Sequence, residues 1–187
     1  MHGELTFGCV KNANPVSTWA GAAAAMLLAL AVAASGCTKA PEAAPALKTS
    51  WDHFTIGVGG HPASLQVAIL PAEQEHGLMQ RLDLGRDEGM IFVYAEPQRQ
   101  NFWMRNTPEP LDIAYVGPDG AIAEIYPMFP LDERGIASRN DRIQYAVEMP
   151  HGWYEANGVR PGARIDMKAV SDAVKARGFD PSRFGFR

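Results

Sequence analysis

Short apolar or alternating runs, broken again and again by Gly, Pro and Asp, restrict the fold of this chain more than any other feature. They occupy residues 53–58, 64–70, 90–94, 101–105, 111–116, 121–126, 144–149 and 163–167. Runs of that length between turn residues are strands, and their number argues for a mainly β domain, an antiparallel sandwich or barrel. One or two short helices accompany it. Residues 71–79 open with Pro71 at a first-turn position and carry Glu73 and Glu75 near the N-terminus. A single turn over 152–157 stops at Gly158.

With 187 residues the chain has room for one domain and an appendage. The appendage lies at the N-terminus. Trp19 to Ala34 form an uncharged apolar run of 16 residues, ending in Ala34-Ser35-Gly36-Cys37. A membrane span takes about 20 such residues and a secretory core about 7–15. Small residues leading into a cysteine resemble the lipobox of bacterial lipoproteins, where cleavage precedes the cysteine and its sulfur is acylated. Ala34 stands where that pattern usually has Leu, and Lys11 is the sole basic residue before the run. The expected division is a lipoprotein signal peptide at 1–36, lipidation at Cys37 and a flexible tether at 37–50. The β-rich domain follows at 51–167, then a tail at 168–187 whose first ten residues suit a short helix ending at Gly178. An uncleaved anchor over 16–36 is the alternative. Either way the remainder is exported to the periplasmic side, and its partner is the membrane through an N-terminal lipid.

Cys9 and Cys37 are the only cysteines. Cleavage removes the first and acylation consumes the second, so the domain folds without disulfides and has no thiol nucleophile. The formal charge of −4 leaves no basic excess for a phosphate backbone, which excludes nucleic acid as the expected partner. The histidines, at 2, 53, 61, 76 and 151, form no zinc-protease pair, and no phosphate-binding loop or dinucleotide fingerprint occurs. No cofactor or metal is expected.

The best-defined local element is the hairpin around Gly117-Pro118-Asp119-Gly120. Pro118 suits the second position of a type I turn, and Gly120 can take the left-handed bulge that follows. With Gly117 facing Ala121, regular pairing puts Leu111, Ile113 and Tyr115 on one face with Ala123 and Ile125. Asp112 and Glu124 then fall together on the other, diagonal neighbours within about 7–8 Å at the backbone.

Several segments carry a family resemblance. They are Glu75 to Arg81 (EHGLMQR), Gly89 to Phe92 (GMIF), Phe102 to Thr107 (FWMRNT), Pro110 to Ile113 (PLDI), Ala146 to Gly152 (AVEMPHG) and Gly158 to Gly162 (GVRPG). Their order and spacing resemble the exported bacterial and archaeal family known as domain of unknown function 192, over roughly Ile56 to Met167. His76 departs from the commoner Arg or Ala. The resemblance implies a mainly β, sandwich-like fold with small helices, and no established activity, substrate or cofactor.

On a strand, Phe102 and Met104 share one face while Asn101, Trp103 and Arg105 share the other. The first pair suits the core. The second set joins an aromatic plate, a guanidinium and an amide, as in sugar- or peptide-binding surfaces; the alternative is a packed Trp103 with Arg105 paired to an acid. With Arg81 and Asp112 these make up the expected ligand-binding residues. Asp112, Glu124 and Glu148 are the candidate catalytic carboxylates of an acid–base pair, against structural pairing of Asp112 with Arg81 or Arg105. Methionines 79, 90, 104, 128 and 149 are thioethers that could hold Cu(I) or simply fill the core. The expected function is therefore a cell-envelope lipoprotein serving as a binding or interaction module for a glycan or an envelope protein. A small hydrolase of envelope glycans is the alternative, and a copper carrier the third reading.

Overall fold

The computed structural model describes residues 46–186. The expected signal peptide, the expected lipidation site Cys37 and most of the expected tether lie outside them. No helix among the described residues is long and apolar enough to cross a membrane.

Among the described residues eight strands, three helices and a 3-10 turn follow one another. β1 is Phe54–Val58, β2 His61–Ala68, α1 Pro71–His76, β3 Glu88–Gln98, β4 Asn101–Phe102 and β5 Leu111–Val116. β6 is Ile122–Met128, β7 Ile136–Ala137, β8 Ile143–Pro150, α2 Trp153–Ala156 and α3 Met167–Ala176, with the 3-10 turn at Pro181–Phe184. Six strands form an open sheet in the order β1-β2-β3-β8-β5-β6, and β4 pairs with β7 in a small second sheet. The domain is mainly β, as expected, but the large sheet is mixed and does not close. β2 and β3 run parallel, because the chain between them crosses over through α1.

Both faces of the sheet are buried. One carries Val67, Ile91, Val147 and Met149 and packs against α2, α3 and the 3-10 turn through Trp153, Tyr154, Val170, Val174 and Phe184. The other carries Phe92, Ile113, Tyr115 and Ala146 and packs against Leu78, Phe102 and Met104 from the loops and the small sheet. Burial on both sides explains why β5 and β8 read as nearly continuous apolar runs rather than strict alternations.

Two expectations need correction. Residues 163–167 form no strand; Arg164 and Ile165 make only isolated bridges, and Met167 begins α3, which Asp166 caps by accepting the Ala169 N–H at 3.0 Å. The 168–187 tail forms the expected short helix, and α3 and Phe184 pack into the first core. Arg177, buried in that tail, donates to the Val67 carbonyl and to Glu73 Oε1, tying α3 to β2 and α1. The second correction concerns the hairpin. Its turn forms as expected, with Gly117 N–H donating to Ala121 O at 2.9 Å and Gly120 at φ 79°. Beyond the turn, Val116 pairs with Ile122 but Tyr115 pairs with Glu124, so Ala123 is an extra residue. Ile122 and Ile125 both pack on the first core, and residues three apart cannot share a face of a regular strand. The bulge lets both be buried and turns every later side chain of β6 over.

Candidate functional site

That bulge dissolves the expected carboxylate pair. Glu124 now shares the second face with Tyr115, whereas Asp112 sits on the first face with Ala114 and Val116. Asp112 Oδ1 lies 2.8 Å from His151 Nδ1, and Oδ2 accepts the Gly152 N–H at 2.8 Å, at the edge of a groove holding Tyr154 and Arg160. Glu124 accepts from the Tyr126 hydroxyl at 2.6 Å, from the Arg139 N–H and from Asn140 Nδ2. Burial alone would raise the Glu124 pKa, but these donors outweigh it and the group is held below the usual range.

Glu148 is the carboxyl that stands apart. On β8 it lies between Met90 of β3 and Ile113 of β5, on the second face. It is 4% exposed, and among the described residues no hydrogen-bond donor reaches its carboxyl. Burial without a partner pushes its pKa up to about 8, so the group is mostly protonated at neutral pH. Glu148 is separated from Glu124 by two strand spacings and two residues along them, which sets the Cα atoms about 12 Å apart. No pair of the three expected carboxylates is therefore brought together.

Glu148 opens instead into a cavity of about 240 Å3. α1 and the turn after it supply Gln74, Glu75, His76, Gly77, Leu78 and Met79; β3 supplies Phe92 and Tyr94. Asn101, Phe102, Trp103 and Thr107 complete the wall. The loop carrying Trp103 is stitched down on both sides, with Met104 N–H donating to Asp132 O and Gln80 N–H to Asn106 O. Although β4 ends at Phe102, alternation continues: Phe102 and Met104 are buried and Trp103 is 39% exposed.

Of the expected ligand-binding residues, Asn101 and Trp103 line this cavity and the others do not. Arg105 stacks over the Trp103 ring, its Cζ 4.3 Å from the centroid, and its Nε lies 3.5 Å from Glu133. Arg81, expected to neutralise a site carboxylate, pairs with Asp83 at 3.0 Å and donates to Gln66. Asp112 belongs to the opposite face. Met90, Met104 and Met128 fill the second core and Met149 the first, while Met79 lines the cavity. Sequence reasoning had no signal for the roles of His76, Gly77 and Tyr94, which depend on the α1 crossover.

A family model for DUF192, described as an uncharacterized ACR, matches residues 54–167. No curated protein matches the chain. A crystal structure of a protein of unknown function from Novosphingobium aromaticivorans is 35% identical with a TM-score of 0.60, over 66% of this chain and 93% of that one. A second, of a candidate transcription regulator from Sinorhizobium meliloti, is 31% identical with a TM-score of 0.60, over 64% of this chain and 96% of that one.

Proposed function

The chain belongs to the DUF192 family, and from that premise we propose that it is an exported, lipid-anchored envelope protein whose domain binds a small ligand, of glycan class, in the cavity beneath Trp103. One observation carries the binding reading: Glu148 is buried, makes no hydrogen bond among the described residues, and faces open space. A buried carboxyl left unpaired costs free energy that a bound partner would recover. A half-exposed aromatic plate at Trp103 and an amide at Asn101 beside it suit a sugar ring, whose apolar face stacks and whose hydroxyls need polar partners. Paired-carboxylate hydrolysis loses its support, because Asp112, Glu124 and Glu148 lie apart.

Two measurements test the reading. A glycan array probed with the domain, followed by Trp103→Ala and Glu148→Gln, should show binding that both substitutions reduce at least tenfold. Unchanged binding in both variants would move the ligand elsewhere. For the anchor, a fatty-acid analogue should label the wild type and fail to label Cys37→Ala; equal labelling of both would remove the lipoprotein assignment.

A further inference from the structure

The cavity chemistry is more specific than a general polar pocket. Phe92, Tyr94, Phe102 and Trp103 line it together with Glu148. Among the described residues no Lys or Arg lines it; the titratable groups around Glu148 are Glu75 and His76 on α1, Tyr94 on β3, Tyr115 on β5 and, across the sheet, Tyr154 of α2. Glu75 is exposed and contributes negative charge at the cavity. Aromatic walls, an unpaired carboxyl and a nearby acidic side chain favour a cation and repel an anion.

We infer that the ligand of this cavity bears an organic ammonium group, seated between the aromatic walls and Glu148. The inference rests on the binding reading above and narrows it to amine-bearing or quaternary-ammonium ligands, an amino sugar among them. Free, the cavity holds Glu148 as a neutral acid. When the cation enters, the Glu148 O–H bond breaks, its proton passes to solvent, and the carboxylate left behind pairs with the ammonium. One proton is released per ligand bound, and no other reactant is needed. Binding then strengthens as pH rises, because at higher pH less work is needed to ionise Glu148.

Choline is a suitable probe, since its charge does not titrate, and 3,3-dimethylbutan-1-ol is its neutral isostere. The Trp103 indole N–H resonance reports occupancy of this cavity, and titration calorimetry in buffers of different ionisation enthalpy counts protons. At pH 9 choline should bind at least tenfold more tightly than the alcohol. Its affinity should fall about tenfold per pH unit below the Glu148 pKa, with release of one proton near pH 7. In Glu148→Gln the pH dependence and the preference for choline should both vanish. Equal affinity for choline and the alcohol, or a pH dependence that survives in Glu148→Gln, overturns the inference. If N-acetylglucosamine shifts the Trp103 resonance and choline does not, the ammonium inference falls while the binding reading stands. If none of the three shifts it, both fall.

Discussion

A methyl group built on Gly77 would lie 4.0 Å from Oε2 of Glu148 and 3.4 Å from the Phe92 ring. Gly77 ends α1 with φ 51° and ψ −131°, a conformation that disfavours any side chain. The residue therefore turns the chain and keeps the space before the carboxyl open. Gly77→Ala should lower stability by about 1–3 kcal/mol through backbone strain. It should weaken ligand binding further than that loss explains, because the methyl enters the cavity. Urea unfolding and the Trp103 titration separate the two effects. A variant that loses stability but keeps full affinity at saturation would leave Gly77 a turn residue alone.

Glu148 predicts an unusual pH dependence of stability. Its pKa in the folded protein is raised to about 8 from an ordinary 4.5. Below the ordinary value both folded and unfolded states hold the proton, and the group has no effect. Between there and about 8 the unfolded chain has lost the proton and the folded one keeps it, so stability falls as pH rises. The slope is about 1.4 kcal/mol per pH unit, with a total on the order of 5 kcal/mol. Urea unfolding of wild type and Glu148→Gln from pH 5 to 9 checks this. The variant should gain steadily on the wild type as pH increases. Parallel curves would mean that Glu148 ionises freely in the fold.

How far the sequence foretold this arrangement depends on the range of the interactions. The strand at residues 111–116 was read to the residue, because both its ends are marked by Pro110 and Gly117 and its apolar content needs no partner to be recognised. The in-and-out pattern of Phe102, Trp103 and Met104 also held, although the strand there is only two residues long. The Asp112–Glu124 pairing failed at one residue, Ala123, whose bulge follows from Ile122 and Ile125 sharing a core built from distant segments. Nothing local to the hairpin announces it. Likewise the cavity needs α1 to cross over before β3 and to bring Gly77 against Glu148, residues far apart in the chain.

The tail supplies a further test of such long-range organisation. Arg177 joins Val67 and Glu73 across the first core and is 8% exposed. Burial would raise the Glu73 pKa, but the N–H groups of Ile69 and Leu70 and the Arg177 guanidinium outweigh it and lower it. A lowered carboxylate pKa stabilises the fold above the ordinary value and ceases to do so as pH falls through the folded one. Arg177→Met keeps the apolar stem and removes the bonds, and should cost about 3 kcal/mol at pH 7. The gap between variant and wild type should narrow as pH falls below the ordinary carboxylate range and Glu73 takes up its proton. A cost that is small at every pH would show that the tail docks by apolar contacts alone.

Trp103 and Asp112, both expected at one site from the sequence, should behave oppositely. Trp103 is 39% exposed and lines the cavity, and its main local partner is the Arg105 guanidinium stacked on it. Trp103→Ala should cost little stability, about 1 kcal/mol from the lost stacking, and should weaken ligand binding at least tenfold. Asp112 lies on the opposite face of the sheet, where it accepts the Gly152 N–H and contacts His151. Asp112→Ala leaves that N–H without its acceptor and should cost about 1–3 kcal/mol, while binding in the Glu148 cavity stays unchanged. Thermal melting and binding titrations on both variants decide the matter. If Asp112→Ala abolishes binding while the protein remains folded, the ligand occupies the groove beside His151, and the cavity under Trp103 is not the working site.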